Sequence, residues 1–248
     1  MGVVLNNVKG IIISNPTRLY SGLSTAYPNE TLYSFPFPDP FHTGSTQTLG
    51  SSTYTNDFNT LIGTDYTVTG TSSTFVLTAG AGGLAILTPG GTTTASSAYK
   101  NGQFFQIVAG NRFWYTSRIQ ASAVAGNVSF YAGLQAGSST NDGLWFSKAA
   151  ASTSISLVSV VNGTSTNIAT GLATVAAATW IEFGLYYNGT DLTVFINNFP
   201  ITRITSPTVG SSGTTLTSAT LGPVFQITPT ATDTLTTDYV LACQEVNR

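Results

Sequence analysis

Thr179-Trp180-Ile181-Glu182-Phe183-Gly184-Leu185-Tyr186-Tyr187-Asn188-Gly189-Thr190-Asp191-Leu192-Thr193-Val194-Phe195-Ile196 is two alternating runs joined by an Asn-Gly pair. In an extended chain Ile181, Phe183, Leu185 and Tyr187 share one side and Trp180, Glu182, Gly184 and Tyr186 the other, the period of two that a half-buried strand shows. Asn-Gly accepts the positive φ of a type I′ turn, so the stretch predicts an antiparallel hairpin.

The same pattern extends in both directions. Phe113 to Ile119 alternates, with Phe113, Tyr115, Ser117 and Ile119 opposite Trp114, Thr116 and Arg118. Val128–Leu134, Leu144–Phe146, Ser154–Val161, Leu221–Ile227 and Leu235–Val246 read as further strands, and Asn162-Gly163 predicts a second hairpin between Ser154–Val161 and Thr164–Ile168. Helical periodicity with caps is nearly absent, and Ala173–Ala178 is too short to stand as a helix. About ten to fourteen short strands predict an all-β chain, a two-sheet antiparallel jelly-roll sandwich, with a closed barrel as the alternative.

Composition separates an N-terminal arm, residues 1–50, from the sandwich domain, residues 51–248. The arm holds Pro16, Pro28, Pro36, Pro38 and Pro40, and the run Tyr33-Ser34-Phe35-Pro36-Phe37-Pro38-Asp39-Pro40-Phe41. Each proline removes a donor and pushes the preceding residue to an extended conformation, so this run is expected to be extended. Its rings, Tyr33, Phe35, Phe37 and Phe41, are the candidate partner-binding residues, docking on the domain itself, on a neighbouring subunit or on a larger partner.

The 248 residues include only 8 Lys/Arg and 10 Asp/Glu, yet 42% are hydrophobic and 11% aromatic. Such a chain has ample core and a surface of hydroxyls and amides. Its net charge of −2 and its scattered cations predict no nucleic-acid partner. No run approaches the roughly 18 apolar residues of a membrane span, and Met1–Ile13 does not read as a secretory signal. Weak charge repulsion favours self-association or a place in an assembly.

Chemistry is almost enumerable in so uncharged a chain. His42 is the only histidine and lies at the end of the Pro-rich run, so no Ser-His-Asp constellation forms in the strands. One histidine and the single Cys243 supply no closed zinc site, and Cys243 reads as a small buried residue. No cofactor, catalytic residue or metal ligand is predicted, and the chain is expected not to be an enzyme. Glu182 stands alone on its strand, solvated or paired with Arg118 or Arg203. Trp114, Trp145, Trp180 and the 11 tyrosines are candidates for a sugar-stacking platform, although alternating aromatics are more often core. Asn141-Asp142 and Asn188 with Asp191 could coordinate calcium, but both also form turns. The sequons at Asn29, Asn127, Asn162 and Asn188 arise readily by chance in a chain rich in Asn, Ser and Thr.

From about residue 57 to 246 the order of motifs resembles the concanavalin-like, LamG-like jelly roll of tailed-bacteriophage virion proteins. The elements are Asp57-Phe58, Gly82-Gly83-Leu84-Ala85-Ile86-Leu87, Arg112 to Ile119, Phe130-Tyr131-Ala132-Gly133-Leu134, Asn141 to Phe146, Thr179 to Tyr187 and Thr237-Asp238-Tyr239-Val240. The resemblance implies a structural virion protein, a capsid decoration or cement protein. That role implies a homotrimer bound to the major capsid protein on the capsid exterior, assembled in the host cytoplasm. Residues 1–50 lie outside the resemblance, and it is their composition that makes the N-terminal arm the expected capsid or intersubunit contact. The alternative is a carbohydrate-binding head-fibre or receptor-binding module. Sandwiches of this kind also include glycosidases with two acids on one strand at i and i+4 or i+5. No such pair occurs here, and a glycoside hydrolase needs two carboxylates.

Overall fold

The computed structural model describes residues 49–61, 64–79 and 83–247. Among them are eighteen strands, numbered β1 to β18 in chain order, and no helix. They form two eight-stranded sheets and a short third pair.

Sheet I runs in the order β14 (Phe199–Ile204), β13 (Leu192–Ile196), β12 (Ile181–Tyr187), β7 (Phe113–Ala121), β18 (Leu235–Asn247), β4 (Leu84–Thr88) and β3 (Thr74–Thr78). The free edge of β18 also takes β1 (Leu49–Asn56), with Thr53 opposite Cys243. Sheet II runs β11 (Thr164–Thr174), β10 (Ser154–Val161), β9 (Ser139–Lys148), β8 (Ser129–Ala136), β17 (Thr220–Thr228), β5 (Ser96–Lys100) and β2 (Tyr66–Thr69), with β6 (Phe105–Gln106) on β17. Every pairing within these two sheets is antiparallel; only β15 (Val209–Gly210) and β16 (Leu216–Thr217) pair in parallel. The architecture is a two-sheet sandwich.

Alternation decides what the sandwich encloses. Phe113, Tyr115 and Ile119 of β7, Phe183, Leu185 and Tyr187 of β12, and Leu144 and Phe146 of β9 all turn inward and are buried. Phe146 and Phe183 stack across the two sheets at 4.5 Å. At the other end Phe58, Tyr66, Phe75 and Phe225 make a ring cluster. Gly83 makes this cluster possible, since a Cβ there would lie 2.4 Å from the Phe58 carbonyl. Lys148 is also buried, and its Nζ donates to the Val128 carbonyl. Burial favours the neutral amine and draws its pKa below the usual lysine value.

The two Asn-Gly pairs behave differently. Asn162 and Gly163 both take positive φ, 49° and 78°, and close β10 onto β11 in the expected two-residue turn. At Asn188-Gly189 only the glycine does, and Tyr187 pairs with Leu192 across a four-residue loop. Asn188 Oδ1 accepts from the Thr190 and Asp191 amides, while the Gly189 carbonyl accepts from the Gly110 amide at 2.8 Å. Docking against Gly110 thus selects the wider loop. A two-residue turn appears instead at Asn197 and Asn198, φ 50° and 66°, between β13 and β14.

Tyr33, Phe35, Phe37, Phe41 and His42 lie outside the described residues, as does all of the segment 1–48.

Candidate functional site

Outside the core, the outward faces of the two sheets remain. The outer face of sheet II has the composition of a sugar-binding surface: Tyr99, Tyr131, Trp145, Gln135, Gln226 and hydroxyls, with no charged side chain along the strand centres. Its rings, however, are spent on one another. Trp145 leans over Gly143, where a Cβ would meet the ring at 2.1 Å, and stacks on Tyr131 at 4.7 Å and 19°. The Tyr131 hydroxyl lies 2.9 Å from Oε1 of Gln135 and of Gln226. Val158, Val160 and Val224 complete the cluster, leaving Trp145 only 7% exposed. Trp114, on the outer face of sheet I, is 0% exposed. Neither offers the open ring face that a stacking platform needs.

Trp180 differs from both, being partly exposed where the chain crosses from β11 of sheet II to β12 of sheet I. It lines a shallow pocket of about 130 Å³ with Ala173, Thr174, Ala176, Thr179 and Asn197. The crossing is fixed by hydrogen bonds from the Val175 amide to the Thr153 carbonyl and from the Ala178 amide to the Ala121 carbonyl. Ala178 sits at φ 54°, which turns the chain back into sheet I.

Charged groups surround this ring on three neighbouring strands. Glu182 of β12 is in register with Arg118 of β7, and Arg118 with Tyr239 of β18. The ladder slips between Thr237 and Tyr239, making Asp238 an extra, bulged residue. Bulges re-aim side chains, and here Asp238 meets Arg118 at 2.5 Å. The guanidinium also lies over the Trp180 ring at 4.8 Å, a cation–π contact that orients the indole. Glu182 accepts from the Thr116 hydroxyl at 3.3 Å, and its backbone exchanges hydrogen bonds with Asn197. Thus Arg118 pairs with Asp238, and Arg203 with Asp191. The expected pairing of Glu182 with either arginine does not form, because each guanidinium has a closer carboxylate.

The remaining sequence candidates serve structure. Asp142 accepts from the Thr217 hydroxyl and from the Asn162 amide. Asp191 accepts from Arg203 and the Ser206 amide, and the Arg203 hydrogen bond holds its carboxyl below the usual aspartate range. The acids of both Asx clusters that could have coordinated calcium thus bond protein partners. No group of three or more His, Cys, Asp or Glu side chains converges among the described residues. Sequence reasoning found Trp180, Glu182 and Arg118 but not their assembly with Asp238 and Asn197. The signal available for Asn197 was the Asn197-Asn198 pair after Ile196; the bulge at Asp238 has none in the alternation.

No protein-family model and no curated protein matches the chain. Solved structures do share its architecture. A protein of unknown function from Shewanella oneidensis MR-1 aligns over 79% of this chain and 87% of its own at 12% identity, with TM-score 0.57. A prokaryotic β-1,3-1,4-glucanase (lichenase) derived from a mouse hindgut metagenome aligns over 77% and 98% at 10% identity, TM-score 0.56. A native glycosidic hydrolase aligns over 77% and 95% at 14% identity, TM-score 0.51. The fold is therefore the concanavalin-like jelly roll, as the motif order implied. At these identities the likeness extends to the fold alone, and none of these three proteins is named as a virion component.

Proposed function

We propose that the protein is a carbohydrate-binding module whose sugar site is the Trp180 pocket. The observation that carries this is Trp180 itself: a partly exposed tryptophan beside a small pocket, held by Arg118 and flanked by Glu182 and Asn197. An indole face takes the apolar C–H side of a pyranose ring, while carboxylate, amide and hydroxyl groups bond its hydroxyls. At about 130 Å³ the pocket is smaller than the roughly 300 Å³ at which drug-sized sites begin. It suits a single sugar unit or a chain end, with Thr174 and Thr179 at its rim. That two proteins of the same fold are named as glycan hydrolases is consistent with this reading and does not carry it.

Binding without hydrolysis is the part proposed for this site. Glycosidases place two carboxylates about 5 to 9.5 Å apart across the scissile bond. Among the described residues Asp238, the carboxylate on the neighbouring β18, is bound to Arg118 rather than poised opposite Glu182. A glycan array probed with the full chain, with and without calcium, tests the proposal. Binding to a defined glycan, independent of calcium and lost in Trp180→Ala, is the expected result. Absence of binding across the array, or binding unaffected by that substitution, would contradict it.

A second reading rests on the composition, only 7% charged, which suits a surface covered by other proteins. On it the chain is an oligomeric decoration protein on a capsid exterior. Copurification with capsids at a fixed stoichiometry would support that role. None of the three fold comparisons does.

A further inference from the structure

At the open edge of the sandwich two hollows share their walls. β11 is the last strand of sheet II and β14 the last of sheet I. Between them runs a cleft of about 530 Å³, with Ile168, Thr170 and Gly171 on the β11 side and Ile201, Thr202 and Thr205 on the β14 side. The Trp180 pocket continues both walls: Ala173 and Thr174 follow on β11, and Asn197 begins the turn that leads into β14. Phe199 comes between the two hollows on the β14 wall. It pairs with Ile196, a core residue, so its ring is on the inner face of sheet I. Yet it is 62% exposed, more than any other large apolar side chain among the described residues.

Both walls are irregular where a partner strand would have to pair. Between Ala169 and Ala173, β11 sets Thr170, Gly171 and Leu172 against the single Ser156 of β10, and Gly171 takes φ 67°. On β14, Ile201 is an extra residue between the pairs Phe195–Pro200 and Val194–Thr202, and Pro200 has no amide to donate. Bulges and proline close an edge to strand addition. They also leave single backbone groups without a ladder partner. A ligand that meets scattered donors and acceptors fits these walls better than a polypeptide strand, which needs a continuous row of them.

We propose that this seam binds the body of an extended oligosaccharide whose end unit sits on Trp180. The inference rests on the Trp180 sugar site and adds its ligand class, a chain of several units rather than a single sugar. Phe199 is the second stacking ring, and the hydroxyls of Thr170, Thr202 and Thr205 supply hydrogen bonds. Arg203, anchored by Asp191, adds a positioned guanidinium to the same wall. The cleft volume falls within the roughly 300–1,000 Å³ of ligand sites. Its β14 wall, from Thr205 back to Asn197, runs about 25 Å, room for several sugar units.

Calorimetric titration of the full chain with cello-, xylo-, manno-, malto- and chito-oligosaccharides, each series running from the single sugar to progressively longer oligomers, tests the seam. Affinity for the recognised series should rise with length. Phe199→Ala should lower the affinity of its longest oligomer about tenfold and leave its shortest ligand unchanged, whereas Trp180→Ala removes binding of both. Affinity independent of length, or an equal loss for short and long ligands in Phe199→Ala, would overturn the seam while the Trp180 site stands. Absence of binding throughout would overturn both. Amide shift mapping on the unaltered chain gives an answer that needs no variant. Residues 168–172 and 201–205 should move with the long oligomers and stay in place with the single sugar. Shifts confined to the outer face of sheet II would contradict the proposal, as would seam amides that move with an unstructured Val/Thr peptide and with no oligosaccharide, the mark of strand addition.

Discussion

Trp180, Arg118 and Asp238 form a chain of three contacts in which the last depends on a single extra residue in β18. Replacing Trp180 with Ala should abolish glycan binding, a loss of about a hundredfold or more for a central aromatic anchor, while the melting temperature stays near that of the parent. Arg118→Ala should weaken binding about tenfold, by freeing the indole and leaving Asp238 uncompensated, yet cost less than about 1 kcal/mol of stability because the guanidinium is 40% exposed. Titration calorimetry and thermal unfolding of both variants check the pair. Strand alternation set Trp114 opposite Phe113 and Tyr115, and Trp180 opposite Ile181 and Phe183, and those four opposed residues are core. It could not show that one is covered and the other open, because cover comes from residues distant in sequence. The partner of Arg118 was hidden for a related reason: a one-residue bulge leaves the hydrophobic pattern on either side intact.

At the scale of elements, the positions of β10, β13 and the inward residues of β12 were legible because each run is bounded by turn residues and keeps its period. The hairpin loops were legible only in part. Asn162-Gly163 keeps the two-residue turn of its local preference, and its amides bond Asn141 and Asp142 of β9 without changing it; Asn188-Gly189 packs its glycine carbonyl on the Gly110 amide and takes a wider loop. The two glycines therefore predict different costs. Gly163→Ala would place a Cβ in ordinary contact with Asn141 Oδ1, at 3.8 Å, and at φ 78° should destabilise by about 1 kcal/mol, chiefly the strain of the left-handed backbone. Gly189→Ala would also place a Cβ 2.7 Å from the Gly110 backbone and should cost clearly more. Chemical denaturation of the two variants, read as a difference in midpoint, tests that order. β9 and β11 outran their sequence signals, since Ser139–Gly143 and, apart from Leu172, Ala169–Thr174 are polar or small and gain strand structure from their neighbours.

For the whole molecule, few groups titrate between the aspartates and the tyrosines; Lys148, its pKa lowered by burial, works against the tyrosines, its penalty on the fold lifting as pH rises toward the ordinary lysine value. Burial raises the pKa of Tyr66, Tyr115 and Tyr131, and pushes Tyr186 up to about 12. A folded-state value above the unfolded one means that the stabilisation is complete below the ordinary tyrosine value of about 10 and is lost as pH rises through the folded values. On the acid side Asp191 is held low by Arg203, so its contribution is present above its ordinary value near 3.8 and lost as pH falls below it. Unfolding temperature should therefore form a plateau between about pH 5 and pH 9 and fall steeply above about pH 10. A scan across that range checks it; a marked decline near neutrality would point to a titrating group outside this set.

The sugar site is tested most directly by the three indole N–H signals of the nitrogen-15-labelled full chain during titration with a glycan selected on the array. The account predicts that the Trp180 signal moves and saturates while those of the buried Trp114 and Trp145 stay in place. Movement of the Trp145 signal with Trp180 unaffected, or saturable binding that shifts none of the three, would contradict it.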